Sequence, residues 1–166
     1  NAHIVSRAIK GISDRVLAGF ALVVLSPLML AIAFAIRLDS KGAAIFRQER
    51  TGKDGIPFTI YKYRTMIQDA QDQVEGLREL SEGSGPLFKM TEDPRVTRVG
   101  RFLRKSSLDE LPQLFNVLLG TMSLVGPRPA IESETSQYSP WVWRRLHVKP
   151  GMTGLWQVSG RSTLSW

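Results

Sequence analysis

The chain has 166 residues, 43% of them aliphatic or aromatic, which suits one domain with a real core and excludes a disordered tail. Twenty-two Lys and Arg against 15 Asp and Glu give a formal charge of +7, so the surface favours anionic partners such as nucleic acid, phosphate esters or an acidic leaflet. With no Cys, disulfide frameworks and thiolate metal sites are excluded, and two histidines, His3 and His147, are too few for a His-rich metal cluster. Chemistry on this chain falls to carboxylates, basic side chains and backbone amides.

The first informative segment, Val16 to Ile36, carries no charge in 21 positions. A straight helix of that length would be about 31 Å long, just enough to cross a bilayer core. Ser26-Pro27 divides it into halves of roughly one leaflet each. Pro27 has no N–H for the Val23 carbonyl and its ring crowds that turn, so a kink or break is expected there. The Ser26 hydroxyl can satisfy the freed carbonyl in apolar surroundings. Arg7, Lys10 and Arg15 precede the run, and Arg37, Lys41, Arg47 and Arg50 follow it. A crossing helix should show one basic and one less basic flank, whereas both flanks here are basic. Two readings stand level: a helix–break–helix that enters and leaves by one leaflet, and a bitopic helix kinked at Pro27. A signal sequence is disfavoured by the long core and basic C-terminal flank, and a buried soluble helix remains as a fourth reading.

Ala44 to Arg50 and Phe58 to Met66 read as two short strands around the turn Thr51-Gly52-Lys53-Asp54-Gly55. Lys62 and Arg64 share one parity on the second strand, so both cations are expected to point the same way, about 7 Å apart. Ile67 to Glu82 has a helical pattern. From Ile67 to Glu92 the segment carries six acids and two bases, which reads as a solvated face. Gly83-Ser84-Gly85-Pro86 reads as a loop. Charge turns positive again at Arg95, Arg98, Arg101, Arg104 and Lys105.

That basic stretch leads into Ser107-Leu108-Asp109-Glu110-Leu111-Pro112-Gln113, where a helix should begin. Two starts are open: Ser107 as N-cap with Glu110 at N3, or Pro112 at N1 with the acids just outside. Either places Asp109 and Glu110 at the positive end of a helix dipole beside Arg104 and Lys105, which should lower both carboxyl pKa values. An ionised carboxylate suits a nucleophile or a hard-metal ligand. The same pattern is also an ordinary capping box, and alone it favours that plainer explanation. Two further features weigh against it: the aligned cations at Lys62 and Arg64, and Gly126-Pro127-Arg128-Pro129, where two prolines fix the direction of one Arg suited to phosphate or carboxylate.

Taken together, these motifs resemble the bacterial sugar transferases, the monotopic phosphoglycosyl transferases that start surface-glycan assembly on a polyprenyl phosphate carrier. The resemblance runs from about Arg7 to Trp166. It rests on the apolar run broken at Ser26-Pro27, Lys62-Tyr63-Arg64-Thr65-Met66, the Gly100 to Arg104 approach to Ser107–Gln113, Met122 to Pro129, and Lys149 to Arg161.

The resemblance implies an α+β fold: a re-entrant membrane helix-break-helix (residues 1–40) plus a small, mainly helical catalytic domain with a short β-hairpin (residues 41–166). That domain would rest on the cytoplasmic face of the bacterial inner membrane. It also implies a two-step exchange in which Asp109 attacks the β-phosphate of a UDP-sugar, UMP leaves, and polyprenyl phosphate takes the phosphosugar from the carboxylate. Glu110 would hold Mg²⁺. Arg104 matches a position near the transferring phosphate, and Lys62, Arg64 and Arg128 match motif positions. The partners implied are the UDP-sugar, the polyprenyl phosphate and membrane lipids, and a homo-oligomer is compatible with so basic a membrane domain.

The residues fit this on their own terms, because a carboxylate approaching a pyrophosphate meets about 4 kcal/mol of repulsion at 4 Å near a protein surface. A metal ion and surrounding cations remove it. Relatives of this kind usually continue past the position of Trp166, so a C-terminally incomplete catalytic domain is expected, and the start at Asn1 suggests a processed or excerpted chain. Two rivals come from other classes: a membrane-tethered anion-binding module and a non-catalytic membrane subunit. Nucleic acid is disfavoured as a partner, since an acidic pair inside the basic cluster repels a phosphate backbone. Trp141, Trp143 and Trp156 beside Tyr138, Arg144 and Arg145 read as an interfacial belt rather than a stacking platform.

Overall fold

The computed structural model describes residues 2–70, 72, 73, 76, 90 and 93–155. They form helix α1 (Ala2–Asp39), strands β1 (Ile45–Thr51) and β2 (Pro57–Tyr63), helices α2 (Arg98–Ser106) and α3 (Gln113–Leu119), strand β3 (Ser123–Val125), short helices α4 (Glu132–Thr135) and α5 (Pro140–Trp143), and strand β4 (Gly151–Thr153). Three 3-10 turns, Lys53–Gly55, Leu108–Glu110 and Arg144–His147, complete the described elements. The fold is mixed helix and sheet.

Helix α1 is continuous, with Pro27 inside it. The break expected at Ser26-Pro27 is therefore not a non-helical segment. A proline removes one backbone bond, and here the Ser26 hydroxyl donates to the Val23 carbonyl at 2.8 Å, so helix can continue on both sides. The apolar run is largely bare. Phe20, Val23, Leu30, Phe34 and Leu38 are between 65% and 74% exposed, and within the run only Ala18, Met29, Ile32 and Ile36 are buried. Leaving a Val, Leu or Phe in water rather than in apolar surroundings costs about 1.5–3 kcal/mol each, so α1 is not a core helix of this chain and presents an apolar surface that needs covering. By length and composition it is able to cross a membrane.

Strands β1 and β2 pair as the expected hairpin: Gly52 N donates to Ile56 O at the turn, and Arg64 N donates to Ala44 O at the open end. A second pair was not visible in the sequence. Strands β3 and β4 lie parallel, Ser123 opposite Gly151 and Val125 opposite Thr153. Strands of three residues carry no readable period, which is why alternation could not reveal them.

The chain divides into two compact units, one formed by Asn1–Ser26, Arg47–Tyr61 and Pro112–Trp166, the other by Pro27–Phe46 and Lys62–Leu111. In the first, buried Asn116 accepts from Tyr61 N at 3.0 Å and donates to Thr59 O at 2.7 Å, tying α3 to β2. Ser123 bonds Asp14 at 2.7 Å, and Lys10 donates to Ser123 at 2.6 Å, joining α1 to β3.

In the second unit Met29, Ile32 and Ile36, spaced three and four apart, form the buried stripe of α1, and Tyr63 donates to the Met29 carbonyl at 2.8 Å. Asp39 accepts from Val99 N at 3.0 Å, and Thr97 caps α2 by accepting from Gly100 N. Gly100 lies so close to Thr65 that a Cβ would overlap the Thr65 carbonyl, so no larger residue fits there without movement. The helix expected over Ile67–Glu82 is not seen at its start, where residues 67–70 form a turn closed by Ala70 N to Ile67 O. Most of that segment, the Gly83–Pro86 loop and Trp156 to Trp166 lie outside the described residues.

Candidate active site

Helix α2 stops at Ser107 because that residue adopts the left-handed conformation, φ 59°, which ends the helical hydrogen bonds and turns the chain. Asp109 and Glu110 follow in the Leu108–Glu110 turn, ahead of α3, which starts at Gln113 after Pro112. The Ser107 side chain makes no capping bond, so the second of the two expected helix starts, with the acids outside, is the closer one.

Glu110 is held by Lys62, whose Nζ donates to its Oε1 at 2.8 Å. Both side chains keep about a third of their surface or less, 27% for Lys62 and 35% for Glu110. Arg104 is steadied by Thr65, its Nε donating to Thr65 Oγ1 at 2.9 Å. Asp109 is half-buried. Burial pushes its carboxyl above the usual aspartate value and the neighbouring Glu110 adds to the rise, while Lys62 and Arg104 pull the other way. This corrects the expectation of a lowered value: desolvation of the carboxylate outweighs the two cations. A carboxylate held at a cost in the folded state is more reactive than one fully neutralised by its neighbours.

The other candidate cations have different partners. Arg64, buried just past β2, donates to the carbonyls of Lys41 and Ser40, the latter at 2.9 Å, and so closes the C-terminal end of α1. It does not share a partner with Lys62. Arg128 belongs to the first unit, where it donates to buried Glu134 at 2.9 Å. The residues brought together are thus Asp109, Glu110, Lys62 and Arg104, all in the second unit.

For Mg²⁺ the donors are suitable in kind but few. Asp109 and Glu110 offer hard carboxylate oxygens, and among the described residues no group of three or more His, Asp or Glu gathers to form a protein-made cage. Magnesium commonly takes one or two carboxylates and completes its shell with substrate phosphates and water, so these two carboxylates would be enough protein ligands to hold one.

The role of Thr65 and the pairing of Asp93 with Arg95 escaped sequence reasoning. Thr65 was part of a recognised motif, but nothing local said its hydroxyl would orient Arg104. Asp93 and Arg95 form a buried bidentate pair at 2.6 and 2.9 Å, and Arg95 also donates to Ala70 O at 3.0 Å. Two charges two residues apart look like solvent-facing chain until packing buries them.

A profile of the family described as bacterial sugar transferase matches residues 5–166. The undecaprenyl-phosphate galactose phosphotransferase of Salmonella typhimurium is 46% identical over 169 residues, covering 97% of this chain and 34% of its own length. The UDP-glucose:undecaprenyl-phosphate glucose-1-phosphate transferase of Escherichia coli is 44% identical over 160 residues, covering 94% of this chain and 32% of its own. The exopolysaccharide production protein ExoY of Sinorhizobium fredii is 41% identical over 171 residues, with 96% of this chain and 74% of its own length covered. The chain spans about a third of the length of several of the curated relatives it matches.

Proposed function

This chain belongs to the bacterial sugar transferase family, and from that premise we propose that it moves a sugar phosphate from a UDP-sugar to a polyprenyl phosphate through a covalent aspartyl intermediate. The observation that carries the reading is a half-buried Asp109 with raised carboxyl, next to Glu110 and acted on by the charges of Lys62 and Arg104. An Asp109 oxygen forms a bond to the β-phosphorus of the donor, and the bond to the bridging oxygen breaks, releasing UMP with the electron pair. An oxygen of the polyprenyl phosphate then bonds to the same phosphorus and Asp109 departs as carboxylate. Neither step needs a proton donor when the leaving groups are stabilised as anions, in keeping with a chain of two histidines and no cysteine.

Asp109 and Glu110 would hold Mg²⁺, which supplies neutralisation of phosphate charge when bound. Lys62 keeps Glu110 oriented through one oxygen and leaves the other available. Arg104, held by Thr65, faces the anionic substrate with its remaining donors. Arg64 and Arg128 are assigned supporting roles: one seals the end of α1 and the other locks the Gly126–Pro129 turn against Glu134.

In this reading α1, still helical on both sides of Pro27, bends sharply there in the membrane and returns to the cytoplasmic face, so that the carrier phosphate is met at headgroup height. The experiment for the chemistry uses a UDP-sugar radiolabelled in the sugar, without carrier. Label should stay on the wild-type chain in acid-stable, hydroxylamine-labile form and be absent from Asp109→Asn; equal labelling of both would remove the covalent mechanism. For the membrane, the lack of native cysteine makes labelling clean. Ser6→Cys and Lys41→Cys should react with an impermeant maleimide from the same side of a vesicle, whereas opposite sides would mean that α1 crosses.

A further inference from the structure

The unit that contains the N-terminal part of α1 holds a cavity of about 360 Å³ that none of the residues proposed for transfer touches. Arg7, Lys10 and Arg15 of α1 line it together with Lys53 and Lys149. Its accessible apolar surface comes from Val125 and Val148, 59% and 49% exposed, with Val117 and Met122 packed behind. One carboxylate, Asp14, lines it, and that group already accepts from Lys10 at 2.9 Å and from Ser123 at 2.7 Å. Lys53 lies 3.1 Å from Asp54 on the exposed turn, and Arg15 donates to the Gly11 carbonyl at 3.2 Å. Five cations therefore line the cavity against one lining carboxylate, Asp14, with Asp54 outside the lining and paired to Lys53. Lys149 registers the imbalance: burial, then the charges of Arg15, Lys53 and Lys10, hold its ammonium below the usual range against the opposing pull of Asp14. A bound anion would relieve that repulsion.

We propose that this cavity binds the phosphate head of an anionic membrane phospholipid. Arg7, Lys10 and Arg15 occupy the turns of α1 directly before the uncharged run Val16–Ile36, so insertion of that run sets them at headgroup level. A cationic rim beside apolar surface matches an amphiphile, with phosphate on the lysines and arginines and glycerol backbone against Val125 and Val148. A free nucleotide fits less well, because Asp14 and Ser123 are already bonded to each other and to Lys10, which leaves His147 as the remaining polar side chain of the lining to read a base. The proposal rests on membrane insertion of α1 and not on the transfer reaction, so failure of one leaves the other standing.

The test uses the full chain in a neutral detergent, with lipid retention read by native mass spectrometry against phosphatidylglycerol, phosphatidylcholine, inorganic phosphate and UMP. The wild type should retain phosphatidylglycerol over phosphatidylcholine by about tenfold or more, since each cation near a headgroup contributes about 1 kcal/mol. Arg15→Gln with Lys149→Gln should abolish that preference, while Lys105→Gln, an exposed charge outside the cavity, should keep it. If the double variant does not fold, Lys53→Gln alone should lower the preference about threefold or more. Equal retention of the two lipids by wild type, or an unchanged preference in both cavity variants, overturns the proposal. Displacement of bound phosphatidylglycerol by millimolar inorganic phosphate or UMP overturns it as well and assigns the cavity to free phosphate esters.

Discussion

Two cation–carboxylate pairs in the same unit are built to opposite ends. Asp93 and Arg95 are almost completely enclosed, 7% and 3% exposed, and joined through two oxygens and two nitrogens, with a backbone carbonyl using a third donor. Lys62 and Glu110 meet through one oxygen at 2.8 Å with about a third of each side chain open to solvent. The closed pair is saturated, so it holds Arg95 and the turn at residues 67–70 and offers nothing to a substrate. The open pair sits beside a half-buried Asp109 whose charges are incompletely balanced. Among similar residue types, the spare coordination at Glu110 and the unmet charge at Asp109 are what the proposed transfer would use and what the structural clasp lacks.

The sharpest way to break this contrast is Asp109→Asn. Turnover should fall by about 10⁴-fold or more, as for removal of other enzymatic nucleophiles, while the melting temperature stays level or rises. The sign follows from the raised carboxyl. The folded chain takes up that proton more readily than the unfolded one, so ionised Asp109 costs stability at neutral pH. That cost fades as pH falls through the folded value, and Asn removes it altogether. A lowered melting temperature would mean that Asp109 belongs with the structural clasps. Asp93→Asn should do the reverse, costing about 3–5 kcal/mol in denaturant unfolding because Arg95 is left buried and uncompensated.

Glu110→Gln tests the open pair itself. Unfolding free energy should change by less than about 1 kcal/mol, as for a solvent-accessible ion pair. The Mg²⁺ concentration for half-maximal turnover should rise by about tenfold or more. A metal-independent wild type would remove the ion from the reading. The smallest effect concerns proton equilibrium. The acid limb of the pH–rate profile should lie above the ordinary aspartate value of 3.8, and Lys62→Met should move it higher still, because Lys62 opposes the rise. A limb that does not move in Lys62→Met would separate Lys62 from Asp109.

Much of the candidate site was legible one residue at a time. Asp109 and Glu110 stood out as acids inside a basic stretch, and Arg104 and Lys62 as motif cations. Their electrostatic state was not legible: the expected lowering at Asp109 became a rise, since neighbouring charge can be counted along a chain whereas burial depends on what packs from a distance. Arg64 and Lys62, two residues apart, were expected to point the same way. Strand β2 ends between them at Tyr63, so alternation no longer governs Arg64, and the bare carbonyls after α1 claim it. The Ser26 hydroxyl did take the carbonyl freed by Pro27, but the helix ran on through the proline.

The sequence by itself determined the local matters: an apolar helix with its cap for a proline, a hairpin turn, a left-over acidic pair, and the family. These depend on residue type and spacing within a few positions, where backbone sterics and solvation act directly. Tertiary structure alone decided which charges are shut away, which cation each acid meets, and that five bases from α1, the hairpin turn and the approach to β4 share one cavity. Such pairings join residues tens of positions apart, and no short-range preference specifies them; they follow from how apolar faces pack and carry their polar neighbours along.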